Sequence, residues 1–407
     1  MLKAIKIRIY PNKEQTQFIL KQLGCCRFVY NNCLAYRRFS YENENKTVSS
    51  SESIGYIVQL KKDYEFLKEV HSKVLQQSVR DMNQAYENFF KLHRGYPKFK
   101  SKRDNKQSCR FPKDAFIGIR GNRIDLIKSL KDIHFKCSRE DERYLNKNQD
   151  KVSSLTLSKE PSGYFYLSIL IDKPNKILPK SNKSVGIDLG IKDFVVTSEG
   201  EIFENLHFKK SENNKIKRLQ RQLSRKQKDS NNRNKARIKL AKAYKKINDR
   251  KQYYLHQVTN TLINENQVIC MEDLNVKGMM RNHKLAESIQ EMNFGEFRRM
   301  LEYKAKWYGR QIVYVDRFYP SSKTCNHCGH VNKELKLSDR QWVCPQCGEL
   351  IERDYNGALN ILDEGLRTIG LSSPEFTLVD YPTVDEPNIN VMLKSSDRMK
   401  QEKNESC

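Results

Sequence analysis

The chain has 407 residues, enough for two or three domains with cores of their own. Its 75 Lys and Arg stand against 49 Asp and Glu, a net charge of +26, and an excess of that size calls for a polyanionic partner held partly by counterion release. No apolar run reaches the length of a membrane span, and the start, Met1-Leu2-Lys3-Ala4-Ile5-Lys6, lacks the apolar stretch of a signal peptide, which argues against membrane and secreted classes. Lys3 to Tyr10 alternates, with Ile5, Ile7 and Ile9 on one face and Lys6, Arg8 and Tyr10 on the other, the pattern of a half-buried strand. Pro11-Asn12 ends it, and Lys13 to about His93 reads as helical, with a polar interruption from Glu42 to Glu52. Gly24 to Asn31 mixes basic and aromatic residues into this block. Arg94-Gly95-Tyr96-Pro97-Lys98-Phe99-Lys100-Ser101-Lys102-Arg103 then alternates cations with rings, so Lys98 and Lys100 are candidates for a nucleic-acid backbone whose bases stack on the aromatics.

Strands are expected at 115–119, 123–127, 152–157 and 164–171, separated by turns at Gly121-Asn122 and Pro161-Ser162-Gly163. A linker, Lys173 to Lys183, leads to Val185-Gly186-Ile187-Asp188-Leu189-Gly190 and a second strand, Ile191 to Thr197; Glu201 to Asn205 gives a third. Asp188 lies between two apolar residues, where a carboxylate is costly unless paired or holding a metal. Glycines on either side point to a cation or phosphate approaching the backbone. Lys209 to Lys251 carries eighteen Lys and Arg against three acids. Apolar stripes (Ile216, Leu219, Leu223; Ile247, Leu255, Val258, Leu262) predict a helical hairpin with its basic face turned to nucleic acid.

Asn266 to Met271 is a buried strand that ends in Glu272-Asp273. Val276 to Leu285 reads as a polar loop, Ala286 to Gly309 as one helix and Gln311 to Val315 as a strand. Asp354 opens a last helix whose Ala358, Leu359, Ile361 and Leu362 would pack on the sheet. Three acids from strand, strand and helix suit phosphodiester hydrolysis, in which two Mg²⁺ ions about 4 Å apart bridge attacking water, phosphate and leaving oxygen. The element order matches the RNase H-like (RuvC) nuclease pattern.

Cys325-Asn326-His327-Cys328 and Cys344-Pro345-Gln346-Cys347 form C-x₂-C-x₁₅-C-x₂-C, the spacing of four thiolates around one structural Zn²⁺. His327 and His330 are then surplus. The other seven cysteines (Cys25, Cys26, Cys33, Cys109, Cys137, Cys270 and Cys407) follow no disulfide framework, as in a reducing compartment. Residues from Pro374 on, with Pro382, Pro387 and many polar side chains, read as disordered.

Taken together, the Tyr10-Pro11-Asn12 start, Gly24 to Asn31, Tyr96 to Lys100, Gly186 to Gly190, Glu272-Asp273-Leu274, Pro320-Ser321-Ser322-Lys323-Thr324-Cys325 and Arg353-Asp354 to Ile361 resemble the TnpB family. These are insertion-sequence-encoded proteins related to type V CRISPR effectors. The resemblance spans nearly everything before residue 371. It implies an RNA-guided endonuclease that uses a guide RNA from its own element and a short motif beside the target, and cuts both strands of double-stranded DNA at one RuvC-like site. Asp188, Glu272 and Asp354 would be the Mg²⁺-binding catalytic acids, and Cys325, Cys328, Cys344 and Cys347 the zinc ligands. Gln76, in Leu75-Gln76-Gln77-Ser78, would be a base-reading residue at the adjacent motif.

The implied architecture is α/β with added α and β parts. A wedge-like β-domain (1–10 and 104–180) is interrupted by a helical recognition lobe (11–103). A RuvC-like domain (181–317 and 351–371) carries an inserted zinc ribbon (318–350), and 372–407 is a tail. Gly357 departs from the family's usual residue and would loosen its helix by up to about 1 kcal/mol. A monomer with one RNA, in the cytoplasm and associated with the nucleoid, is expected. Two alternatives stay open: a non-cleaving RNA-guided repressor, and an accessory transposition protein that binds DNA. The intact acid triad favours the enzyme over the first.

Overall fold

The computed structural model describes residues 1–104, 106–283, 286–336 and 338–371; the expected tail lies outside them. The described residues form two compact units, one of Met1–Ile177, Leu206–Thr259 and Lys306–Tyr308, the other of Leu178–Asn205, Asn260–Ala305 and the described residues from Gly309 on.

In the first unit, β1 (Leu2–Tyr10) buries Ile5, Ile7 and Ile9 and leaves Lys6 and Tyr10 outside. It runs into α1 (Lys13–Glu44), α2 (Ser50–Asp63) and α3 (Ser72–Leu92). Asn12 and Gln15 close a capping box on α1, and Ser49 and Glu52 close another on α2, each satisfying amides that a helix start leaves bare. The interruption between α1 and α2 is shorter than the polar run predicts. Asn45, at φ +49, turns α1 off, and its amide bonds to Ser40 O.

The sheet is completed by β2 (Gln107–Pro112), β3 (Gly118–Arg120), β4 (Arg123–Asp125), β5 (Ile133–Lys136), β6 (Val152–Lys159) and β7 (Phe165–Asp172), in the order β2-β6-β7-β1-β5-β4-β3. All its pairs are antiparallel. Of the expected strand over 115–119 only Gly118 and Ile119 belong to a strand, because Lys113–Ala115 make a 3₁₀ turn. A short helix, α4 (Arg139–Lys147), is capped by Ser138. The basic hairpin forms as α5 (Phe208–Ser224) and α6 (Asn231–Glu265). Arg233 closes its turn by donating to the carbonyls of Leu223 and Lys226, at 3.1 and 2.8 Å.

The second unit is built on β8 (Ser184–Asp188), β9 (Asp193–Thr197), β10 (Ile202–Glu204), β11 (Val268–Glu272) and β12 (Gln311–Val315), in the order β10-β9-β8-β11-β12. The first three are antiparallel, while β8, β11 and β12 run parallel. After β11 come α7 (Val276–Met279), α8 (Ala286–Met292) and α9 (Phe294–Tyr308). The single helix expected over 286–309 is broken at Asn293, whose φ of +55 ends one helix and starts the next. In the ribbon, β13 (Gln341–Val343) pairs antiparallel with β14 (Leu350–Glu352).

The final helix, α10 (Arg353–Thr368), lies across the sheet against β8 and β11. Two glycines make that seat. A Cβ on Gly186 would fall 2.1 Å from the carbonyl oxygen of Ala358, and one on Gly365 would fall 2.4 Å from Cys270 Sγ. The glycines around Asp188 therefore serve the chain itself, not a ligand approaching the backbone. Gly186 admits α10, and Gly190 lets the β8–β9 turn bring Asp193 O to 2.6 Å from where a Cβ would stand.

Candidate functional site

Strand periodicity and one helix bring the three acids together. In the β8–β11 register Met271 lies opposite Ile187, so the next residues, Glu272 and Asp188, leave the sheet side by side at its carboxyl edge. Side chains alternate along a strand. Gly186 and Cys270 face α10, so Asp188 and Glu272, two residues on, face it as well. Asp354 stands in the first turn of α10, and a Cβ on Gly357, one turn later, would touch Asp188 Oδ2 at 3.5 Å. The glycine leaves this carboxylate open space beside the helix.

Burial raises two of these acids, one of them further by repulsion. Burial, then the charges of Glu272 and Asp354, push the Asp188 carboxyl up to about 7, against an opposing hydrogen bond from the Leu189 amide and the charge of Arg353. Burial also raises Glu272, opposed by the Ser321 hydroxyl, which donates to its Oε1 at 2.5 Å. Asp354 is paired with Arg340, whose Nη1 lies 3.2 and 3.0 Å from its two oxygens. Anionic oxygens gathered at one strand edge form the donor set that hard divalent cations take. Neighbouring Asp273 is committed elsewhere: Arg298 and Arg317 hold its carboxylate, the latter at 2.8 Å, and its amide bonds to Val315 O.

The four cysteine sulfurs lie within 4.8 Å of one another, and neither His327 nor His330 belongs to the group. Cys325 and Cys347 are 3.7 Å apart, and Cys328 and Cys344 are 3.5 Å apart. A tetrahedron with zinc–sulfur bonds of about 2.3 Å has edges of about 3.8 Å, so the sulfurs fit one Zn²⁺ with no position left for water. Gly329 and Gly348, at φ +75 and +76, make the turn after each pair, and their amides bond to Cys325 O and Cys344 O.

Gln76 is half-exposed on α3, and Lys98 is exposed. Lys100 instead lies over the Tyr30 ring at 3.8 Å, with its backbone clamped by the Asn31 amide. Arg38 sits 4.9 Å from both Tyr96 and Phe99 and donates to Pro97 O. Part of the cation–ring alternation in this segment is thus satisfied internally.

Other residues carry features that the sequence did not single out. A groove of about 730 Å³ in the first unit is lined by Arg8, Tyr164, Phe208, Lys242, Arg250 and Tyr253. Arg8 stacks on Tyr164 at 3.7 Å, Arg250 stands over Phe208 at 5.5 Å, and Tyr253 is 67% exposed. The alternation of Lys6, Arg8 and Tyr10 was the available signal. Ser321 and Arg340 were also missed as site residues, because a serine in a turn and an arginine between cysteines announce nothing by themselves.

A mixed α/β architecture with a four-cysteine cluster agrees with known proteins. Residues 294–361 match the TNB domain model of Cas12f1-like proteins, 168–283 match the OrfB_IS605 model described as "Probable transposase", and 1–46 match the helix-turn-helix model of the same group. Here 1–46 fold as β1 and one long helix. A Streptomyces pristinaespiralis protein named "Putative RNA-guided DNA endonuclease" is 37% identical, with 89% of each chain covered. The Escherichia coli (strain K12) protein "Putative RNA-guided DNA endonuclease InsQ" is 32% identical, covering 89% of this chain and 92% of its own. Among solved structures, Cas12f1 with single guide RNA and target DNA superposes with a TM-score of 0.55 at 14% identity, over 89% of this chain and 98% of the other. The mini-RNA-guided endonuclease Cas_phi3 does so at 0.50 and 10% identity, over 89% and 92%. These two speak for the mixed α/β fold. The chain belongs to the TnpB family.

Proposed function

We propose that this protein is an RNA-guided endonuclease that cuts double-stranded DNA with one RNase H-like (RuvC-like) site, using a guide RNA from its own insertion sequence and a short motif beside the target. What supports the reading is that Asp188 and Glu272 lie side by side at the carboxyl edge of the second sheet, with Asp354 at the start of α10 near enough that the charges of both other acids raise the Asp188 carboxyl. The strand order, three antiparallel strands followed by two parallel ones, supports the RuvC assignment.

The three carboxylates would hold two Mg²⁺ ions, which supply charge neutralisation at the scissile phosphate and an activated water. Asp188 and Glu272 present oxygens from adjacent strands, so their spacing is fixed by the sheet. Asp354 adds a third from the helix start, and Arg340 beside it offers a guanidinium to a phosphate oxygen. The four cysteines hold a structural zinc. The groove around Tyr253 takes an unpaired stretch of the guide, with base against ring and phosphates against Arg250 and Lys242. Gln76 and Lys98 remain candidates for contacts to the target and guide. The active unit is one chain with one RNA.

The test is cleavage of a plasmid library with randomised sequence beside one fixed target, by protein co-expressed with RNA from the 3′ end of its element, with Mg²⁺ and an Asp188→Ala control. Cutting that needs matching guide, flanking motif and Asp188 is the expected result. Guide-dependent binding without cutting would make the protein a repressor. Neither binding nor cutting by a verified RNA complex would leave the accessory role.

A further inference from the structure

We propose that Ser321 is a positioning residue for Glu272, and that through it the four-cysteine zinc centre sets how tightly the acid cluster binds divalent cations. This rests on reading Asp188, Glu272 and Asp354 as a cation site. Ser321 stands at the root of the ribbon, four residues before Cys325. It is buried, and its hydroxyl makes a short bond of 2.5 Å to Glu272 Oε1. A hydroxyl donating to a carboxylate at that distance is a charge-assisted bond. It fixes one oxygen of Glu272 and leaves the other for a cation.

What fixes Ser321 in turn is the catalytic helix. The buried amide of Asn360 donates to Ser321 O and to Thr324 O, both at 2.7 Å. Asn356, one turn earlier on α10, donates to Thr324 O at 2.7 Å and accepts from the Asn326 amide at 2.9 Å. Asn326 reaches back to Asp363 at 2.7 Å. Residues 321–326 are thus bound to the helix that carries Asp354, to Glu272, and through Cys325 to the other three thiolates. Two of the three acids are tied to one short segment whose far end is a metal ligand. Partners of this kind behind a metal ligand typically change metal affinity by about 10- to 100-fold. Without zinc, Cys325 loses its hold and the hydroxyl is no longer delivered.

The experiment is Mn²⁺ binding to the full-length protein, read as free Mn²⁺ by electron paramagnetic resonance, with zinc content measured on the same samples. Ser321→Ala is expected to weaken Mn²⁺ binding about tenfold or more while retaining one zinc per chain. Ser321→Thr, which keeps the hydroxyl, restores it. Cys347→Ala loses zinc and weakens Mn²⁺ binding as well, and adding Ser321→Ala to it costs little more, because both act through one segment. Unchanged Mn²⁺ affinity in Ser321→Ala, loss of its zinc, or fully additive effects would each overturn the inference. Wild-type protein whose Mn²⁺ binding ignores Glu272→Ala would sink the cation-site reading, and this coupling with it.

Discussion

Replacing Asp188 by asparagine separates the charge of this side chain from its shape. Its carboxyl is raised from the ordinary value of 3.8 to about 7, first by burial and then by Glu272 and Asp354. An acid raised by folding costs nothing well below its ordinary value of 3.8, where both states are protonated. Its cost grows as the unfolded chain ionises, and levels off above pH 7, where the folded state ionises too. Each pH unit between the two values is worth about 1.4 kcal/mol, which gives about 4 kcal/mol as an upper limit. Relaxation and water at this partly open edge reduce that to about 2 kcal/mol. Asp188→Asn should therefore be inactive yet melt roughly 5 °C higher than wild type at pH 7.5 in buffer without added divalent cations. The gap should fall to about half at pH 4.5 and nearly vanish by about pH 3, and Mn²⁺ should narrow it at pH 7.5 by stabilising wild type alone. A melting difference that is constant across this range, or an asparagine variant that melts lower at pH 7.5, would refute the electrostatic account of the cluster.

Gly186→Ala puts a methyl group 2.1 Å from Ala358 O, so α10 must lift off the sheet. We expect a loss of about 3 kcal/mol in denaturant titration, and no cutting, because Asp354 rides on that helix. Arg340→Ala removes the guanidinium from Asp354 at a partly exposed pair, worth up to about 1 kcal/mol. Mn²⁺ binding should tighten up to about fivefold while cleavage falls, and unchanged binding would mean that the pair does not compete with cations. Tyr253→Ala should weaken guide RNA binding about tenfold with little change in its salt dependence. Arg250→Ala should lower the salt slope by about one. Equal slopes for both variants would place the RNA elsewhere.

The parts of the fold legible in the sequence are those where burial alone decides the pattern. Ile5, Ile7 and Ile9 announce β1, and the apolar runs before Asp188 and Glu272 announce β8 and β11, since these strands are covered on both faces. Strand β2 escaped because its inward face has only two apolar residues, Cys109 and Phe111, after Gln107, and alternates with Ser108, Arg110 and Pro112. Its place is set by β6, and proline is tolerated there because the strand is an edge. Helix α4 escaped because its one buried side chain, Leu145, gives no periodicity, although Ser138 as its cap was a readable sign.

At the candidate site, the acids stand out in the sequence as candidates while the residues that support them do not. Asp273 follows Glu272 and is equally acidic. What separates them is the strand's alternation, which sends one toward α10 and the other to Arg298 and Arg317. Asn356 and Asn360 read as ordinary polar residues of an amphipathic helix. Yet they are buried there, where an apolar side chain would strand the carbonyls of Ser321 and Thr324. Their spacing of four puts both amides on one face, so the helix that brings Asp354 to the sheet also fixes the ribbon to it. The polar residues in that stripe are therefore where the acid-bearing edge and the four-cysteine centre are made one structure, and substitutions there should disturb both.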